Sequence, residues 1–123
     1  MADFNEIATQ FVQHYYTTFD TDRAALAGLY RENSLLTFQS AQVAGAPGIA
    51  EKLTSLPFTK VVHRTSSVDA QPTANGGIII LVTGQLLVDE EQNPLSFSQS
   101  FLLAQDPAGA WYVANDVFTL VYA

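Results

Sequence analysis

The sequence predicts an α+β fold in which a largely antiparallel sheet packs against three helices. Three observations carry the prediction. Apart from one short hairpin, apolar residues recur at helical spacing as far as Pro57, and beyond Pro57 the period becomes extended. The extended segments are separated by turn-forming clusters, Asn75-Gly76-Gly77, Glu90 to Pro94 and Asp106 to Gly109. Helices followed by a run of strands indicate helices gathered on one face of an antiparallel sheet.

The first helix is the clearest element. Phe4, Ile7, Ala8, Phe11, Val12, Tyr15, Tyr16 and Phe19 fall on one face, while Asn5, Glu6, Gln10, Gln13, His14 and Thr17 take the other. Asp3 followed by Glu6 predicts a capping box at its start. A shorter second helix is expected from Thr21 or Asp22 to about Tyr30, with Leu26, Leu29 and Tyr30 inward. A hairpin from Leu35 to Phe38, turning near Ala41 into Val43, separates it from a third helix. That helix follows Gly45-Ala46-Pro47, carries Ile49, Leu53 and Leu56 on one face, and ends at Pro57. Strands are expected near residues 60–70, 77–88, 95–104 and 111–122.

The strands carry a second message. Ile78 to Val82, Phe101 to Ala104 and Val117 to Tyr122 are apolar in both phases, so both faces of the sheet call for cover. Three modest helices cover one face. A second copy of the same sheet is the expected cover for the other, which predicts a homodimer with a self-complementary two-fold interface; the competing arrangement folds the hairpin and termini over that face.

Composition narrows the function. With 48% hydrophobic and 14% charged residues the chain is globular rather than disordered, and its length favours one domain spanning 1–123. There is no cysteine, hence no disulfide, thiolate metal site or cysteine nucleophile. The net charge of −7 disfavours nucleic acid and anionic membranes, which both need a cationic surface. No signal peptide or membrane span is legible, so a soluble intracellular protein is expected. The charge is also uneven: all five Lys and Arg lie at or before Arg64, and six acids with no cation lie after it. Such a field steers a basic partner, although acids also serve solubility alone.

Few residues form a chemical constellation. His14 and His63 have no partner at metal-ligand spacing and are read as structural hydrogen-bonding residues; no metal and no cofactor is expected. Asp116, within the apolar run Trp111 to Val121, admits two readings. It is a base of raised pKa in a cavity with Tyr15, Tyr16 and Tyr30, or Asn115-Asp116 marks a bulge or hydrogen-bonded edge. The second is preferred because no other catalytic group stands at fixed spacing. The acidic tip Asp89-Glu90-Glu91 suits a docking edge for Lys or Arg beside an apolar opening walled by Phe38 and Leu56-Pro57-Phe58.

The runs Gln13 to Arg23, Glu51 to Phe58, Asp69 to Pro72, Gly84-Gln85-Leu86 with Asp89-Glu90, and Asn115 to Phe118 resemble, in order and spacing, the nuclear transport factor 2 family. The likeness covers nearly the whole chain, and the Asp89 to Pro94 loop with Phe38 is similar to fungal members. It implies a cone-like curved antiparallel sheet packed against three helices. It also implies a homodimeric import carrier, not an enzyme, that binds the GDP form of the small GTPase Ran and Phe-x-Phe-Gly repeats of nucleoporins. Such a carrier works in cytoplasm and nucleus and concentrates at the nuclear pore. In the family an aromatic side chain of Ran enters the apolar cavity and rim acids pair with basic residues of Ran. The matching positions put Phe38, Leu56, Phe58, Val61, Leu86 and Phe118 around the cavity, Asp89 and Glu91 on its rim, and Phe4 at the repeat-binding site.

One position departs from the family pattern, where a Glu usually follows the hairpin aromatic and pairs with Ran; here it is Gln39. The resemblance therefore implies weakened Ran binding. It leaves two alternatives in view: a cavity enzyme of the ketosteroid isomerase or dehydratase type using Asp116, and a repeat-binding dimer whose Ran site is impaired by Gln39.

Overall fold

The structure is a computed structural model that describes residues 3–56, 60–89 and 93–121. It opens with α1, Phe4–Thr21, whose buried residues are the predicted stripe from Ala8 to Phe19. Asp3 caps it by accepting a hydrogen bond from the Asn5 N–H at 2.9 Å. The expected capping box is only half formed, because the Glu6 carboxylate accepts from Gln10 one turn on instead of reaching back.

The second helix is a 3-10 segment, Arg23–Leu29, in which Leu26 is the buried residue. Tyr30 does not belong to it, as the sequence suggested, but opens strand β1, Tyr30–Phe38. The polar stretch Arg31 to Ser34 conceals this strand from a period-two reading. Ser34 holds it in place by accepting from the Arg31 N–H at 2.8 Å and donating to the Val113 carbonyl. Gln39 and Ser40, both at positive φ, make the tight turn into β2, Ala41–Ala44. Gly45, at φ +84°, then admits α2, Ala46–Thr54, with Pro47 in its first turn and Ile49 and Leu53 buried.

The remaining strands are β3, Val61–Pro72, β4, Ile78–Val88, β5, Leu95–Gln105, and β6, Trp111–Leu120. They form one sheet in the order β2-β1-β6-β5-β4-β3. All neighbours are antiparallel except β1 and β6, which run parallel with Phe38 opposite Phe118. One parallel pair among five leaves the sheet largely antiparallel, as the sequence suggested. No hairpin joins strands so far apart in sequence, so no turn dictates their direction.

Besides the irregular start of the β1–β6 pairing, between Tyr30 and Leu35, two bulges bend the antiparallel part of the sheet. Ser66 is an extra residue in β3 opposite Gly84 and Thr83, where a Cβ on Gly84 would lie 2.3 Å from the Arg64 carbonyl oxygen. Ala114 is the extra residue in β6. The result is a curved, unclosed, cone-like sheet whose concave side holds the core against α1 and α2. On the convex side Leu35, Ile79, Leu81 and Val117 are each 45–50% exposed, while Ile78, Ile80 and Val82 in the opposite phase are buried. No helix among the described residues is long and apolar enough to cross a membrane.

Candidate functional site

The concave face, α1 and α2 enclose a cavity of about 20 Å³, room for one water molecule. Its polar floor comes from four elements. Asp116 of β6, 1% exposed, accepts at Oδ2 from Tyr30 at 2.7 Å and Tyr15 at 3.2 Å, and at Oδ1 from the Gln99 amide at 2.7 Å. The two phenol oxygens lie 2.6 Å apart, and the Tyr16 hydroxyl donates to Gln99 Oε1 at 2.7 Å. Burial pushes the Asp116 carboxyl up to about 6, against the lowering effect of its three donors. Burial, with the nearby Asp116 charge, also raises the Tyr15 and Tyr30 phenols well above their ordinary range.

Of the two sequence readings of Asp116, the hydrogen-bonded one fits, with a correction. The bulge lies next to it at Ala114, and β6 is a central strand rather than an edge. Both carboxylate oxygens already accept protein donors, and the space beside them is water-sized.

The cavity wall includes His63, whose Nδ1 lies 2.6 Å from Asp20 Oδ1 and whose backbone N–H donates to Asp20 Oδ2 at 2.9 Å. Its ring stacks on Tyr16 at 4.4 Å and meets Phe19 and Phe97 edge-on. The expectation of a structural histidine describes this side chain, while His14 sits on the exposed face of α1. Among the described residues no group of three or more His, Asp or Glu is placed to hold a metal ion.

The mouth lies at the end of the sheet where β1, β4 and β6 finish and β3 and β5 begin. Phe38 stacks on Phe118 with ring centroids 4.7 Å apart and planes 9° apart, and Phe118 continues the stack onto Phe97 at 5.6 Å. The Lys52 ammonium stands 6.0 Å from the Phe38 ring centroid. Val61 and Leu86 form the facing wall. One step beyond the Val61–Val88 pair, Asp89 sits exposed at φ +50°. Its N–H donates to the Lys60 carbonyl at 2.7 Å and its Oδ1 accepts from the Lys60 N–H at 3.0 Å.

The structure thus brings together four of the six cavity residues expected from sequence: Phe38, Val61, Leu86 and Phe118. Leu56 is half-buried against the core and is not in the lining. Phe58 and Glu91 lie outside the described residues. Phe4 opens α1 and packs half-buried against the core, far from this mouth in the fold. Gln39 is exposed beside Phe38, its N–H donating to the Phe118 carbonyl at 3.0 Å. Sequence reasoning left Phe19, Leu36, Leu53 and Gln99 out of the lining. Gln99 was detectable as the polar residue in phase with Phe97, Phe101 and Leu103 of β5.

Comparison with known proteins agrees with this architecture. Residues 7–120 match the nuclear transport factor 2 domain. The chain is 68% identical over 119 residues to nuclear transport factor 2 of Neurospora crassa, covering 97% of this chain and 96% of that one. It is 58% identical to the protein of the same name from Emericella nidulans, over 99% and 98% of the two chains. The solved nuclear transport factor 2 of Cryptosporidium parvum superposes with a TM-score of 0.91 at 45% identity, covering 96% and 94%. On a match of this extent and identity, the chain belongs to the nuclear transport factor 2 family.

Proposed function

We propose that this protein is a nuclear import carrier that binds the GDP form of Ran and the Phe-x-Phe-Gly repeats of nucleoporins, carrying Ran through the pore into the nucleus. The observation that carries the reading is the aromatic mouth of Phe38 and Phe118 at the same sheet end as the exposed Asp89, in a chain of this family. An apolar anchor site beside an acid suits one aromatic side chain of a partner whose flanking residues are basic. Because the cavity has room for only one water, an incoming ring docks against the Phe118 stack by moving Phe38 aside. Val61 and Leu86 complete the apolar surround and Asp89 is an acid of the rim; the family resemblance assigns Leu56 and Phe58 to the same surround, Glu91 to the rim and Phe4 to the repeat-binding surface.

The protein acts as one domain and as a homodimer, the convex row Leu35, Ile79, Leu81 and Val117 forming the seam. It shuttles between cytoplasm and nucleus and concentrates at the pore. It is a binding protein rather than an enzyme: both oxygens of the Asp116 carboxylate are already held by protein donors, so it is not poised as a base.

Retention on the carrier of Ran loaded with GDP, and not with GTP, is the expected outcome of a pull-down. Retention of neither form would overturn the carrier reading. In sedimentation at micromolar concentration the expected species is a dimer; a stable monomer would remove that part.

A further inference from the structure

The turn between β3 and β4 holds the chain's one Asn-Gly pair, Asn75-Gly76. The hairpin is closed outside that pair. The Thr73 N–H donates to the Gly77 carbonyl at 2.9 Å, and the Gly77 N–H donates to Thr73 Oγ1 at 2.9 Å. Asn75 and Gly76 are both exposed, and among the described residues none hydrogen-bonds to the Asn75 side chain. The Gly76 N–H donates to the Thr73 carbonyl at 3.3 Å, the longest backbone hydrogen bond in the described turns and loops, and one beyond the usual N–H···O range. Gly76 sits at φ +78°, where even an added Cβ would meet nothing within 4 Å, so nothing crowds its nitrogen. The other asparagines lack this combination. Asn93 precedes Pro94, which has no N–H. Asn33 donates through Nδ2 to the Tyr112 hydroxyl at 3.0 Å, and Asn5 and Asn115 are fixed in α1 and in the central strand β6.

We infer that Asn75 is a site of spontaneous modification, at which the Gly76 backbone nitrogen attacks the Asn75 side-chain amide and converts the residue to aspartate and isoaspartate. The Gly76 N–H first gives its proton to hydroxide or water. The freed nitrogen bonds to Asn75 Cγ, the Cγ–Nδ2 bond breaks, and the departing nitrogen takes up a proton and leaves as ammonia, closing a five-membered succinimide. Water then opens the ring. Addition at Cγ gives aspartate, and addition at the main-chain carbonyl carbon gives isoaspartate, whose backbone runs through the former side chain. Either product adds one negative charge to a chain already at −7. The added charge falls where β3 ends and β4 begins, at the end of the sheet opposite the cavity mouth. The longer isoaspartyl backbone lies inside the Thr73–Gly77 closure, while Gly77 stays close to β5, where a Cβ would lie 2.6 Å from the Leu103 carbonyl oxygen. The change therefore marks the age of the molecule without entering the sheet.

The test is incubation of the folded full-length chain and of Asn75→Gln at neutral and at mildly alkaline pH, with a peptide of residues 70–79 as the unstructured reference. Peptide mapping locates the change, and backbone fragmentation separates isoaspartate from aspartate. In the folded chain Asn75 is expected to convert to both products at a rate within about tenfold of the peptide, because a loosely held turn opens at little cost. The rate should rise with pH, since the attacking nitrogen must lose its proton. Asn75→Gln is expected to react about a hundredfold more slowly, because the extra methylene displaces the reacting carbonyl and enlarges the ring. Converted and fresh protein should unfold at the same urea concentration. Survival of Asn75 while the peptide converts, earlier conversion at another asparagine, a rate indifferent to pH, or equal rates in the parent and Asn75→Gln would overturn the inference. A lower urea midpoint in the converted protein would overturn its second half, that the hairpin closure absorbs the change.

Discussion

The floor and the rim of the cavity use the same chemical parts, an aspartate and a glutamine, and put them to opposite ends. On the floor, Asp116 and Gln99 are 1% and 4% exposed, and every oxygen has a donor. On the rim, Asp89 and Gln39 are exposed and anchored on one side to backbone at the sheet's end. Burial makes the floor costly to disturb and indifferent to solution conditions outside its own titration. Exposure makes the rim cheap to change and keeps it open to solution. The pairing teaches that a polar residue near a cavity declares its role through how much of its hydrogen-bonding capacity the fold has already consumed.

The comparison breaks most visibly at Asp116. Asp116→Ala strands the Gln99 amide and one of the Tyr15 and Tyr30 hydroxyls, the other being able to donate across their 2.6 Å contact, and is expected to cost about 3 to 5 kcal/mol in urea unfolding. A loss below about 1 kcal/mol would mean that the floor is as wet as the rim.

Next comes the titration of the same carboxyl. It protonates near its ordinary value of 3.8 when unfolded and near 6 when folded. Between those values the folded protein holds the proton that the unfolded chain has lost, so this group favours folding at low pH. Its contribution to stability falls as pH rises from about 4 to 6 and is flat above, amounting to about 3 kcal/mol. Asp106 acts in the other direction, since the Ala110 N–H and then Arg31 hold it low, so the slope is best isolated by difference. Subtracting the stability profile of Asp116→Asn from that of the parent should yield that fall; a flat difference would contradict the raised value.

At the rim, Asp89→Lys with Glu91→Lys is expected to abolish capture of Ran-GDP while leaving sedimentation unchanged. The stability change should stay within about 2 kcal/mol, since the Asp89 side chain is exposed and its bond to the Lys60 N–H is local. Undiminished capture would place the partner's edge elsewhere.

Much of this was legible in the residues. The α1 stripe, the change of period after Pro57 and the turn clusters located every strand from β3 to β6 within about two residues, because apolar periodicity is a local signal. The first half of β1 was hidden because its inward residues, Tyr30 and Ser34, are paired through side chains and an irregular register rather than through alternation. The parallel β1–β6 pairing joins Phe38 to Phe118 and has no local signature. For the site, aromatic and acidic residues at the mouth stood out by type and Gln99 by its phase in β5, whereas the contact of Gln39 with the end of β6 joins residues 80 apart in sequence. A side chain that substitutes for a backbone carbonyl is invisible until the chain's departure from the sheet is known.

The smallest effect is the sharpest test of the contrast. Gln39 lies at φ +50°, a strained conformation for any residue but glycine. Gln39→Ala keeps that strain and loses the side-chain oxygen that accepts from the Leu120 N–H, so it is expected to destabilise by about 1 kcal/mol. Gln39→Gly loses the same acceptor but relieves the strain, and the two terms nearly cancel, leaving the midpoint of urea unfolding within about 0.5 kcal/mol of the parent. If both variants fell by the same 2 kcal/mol or more, the Leu120 amide would be behaving as a buried donor left without an acceptor, and the rim would have to be classed with the floor.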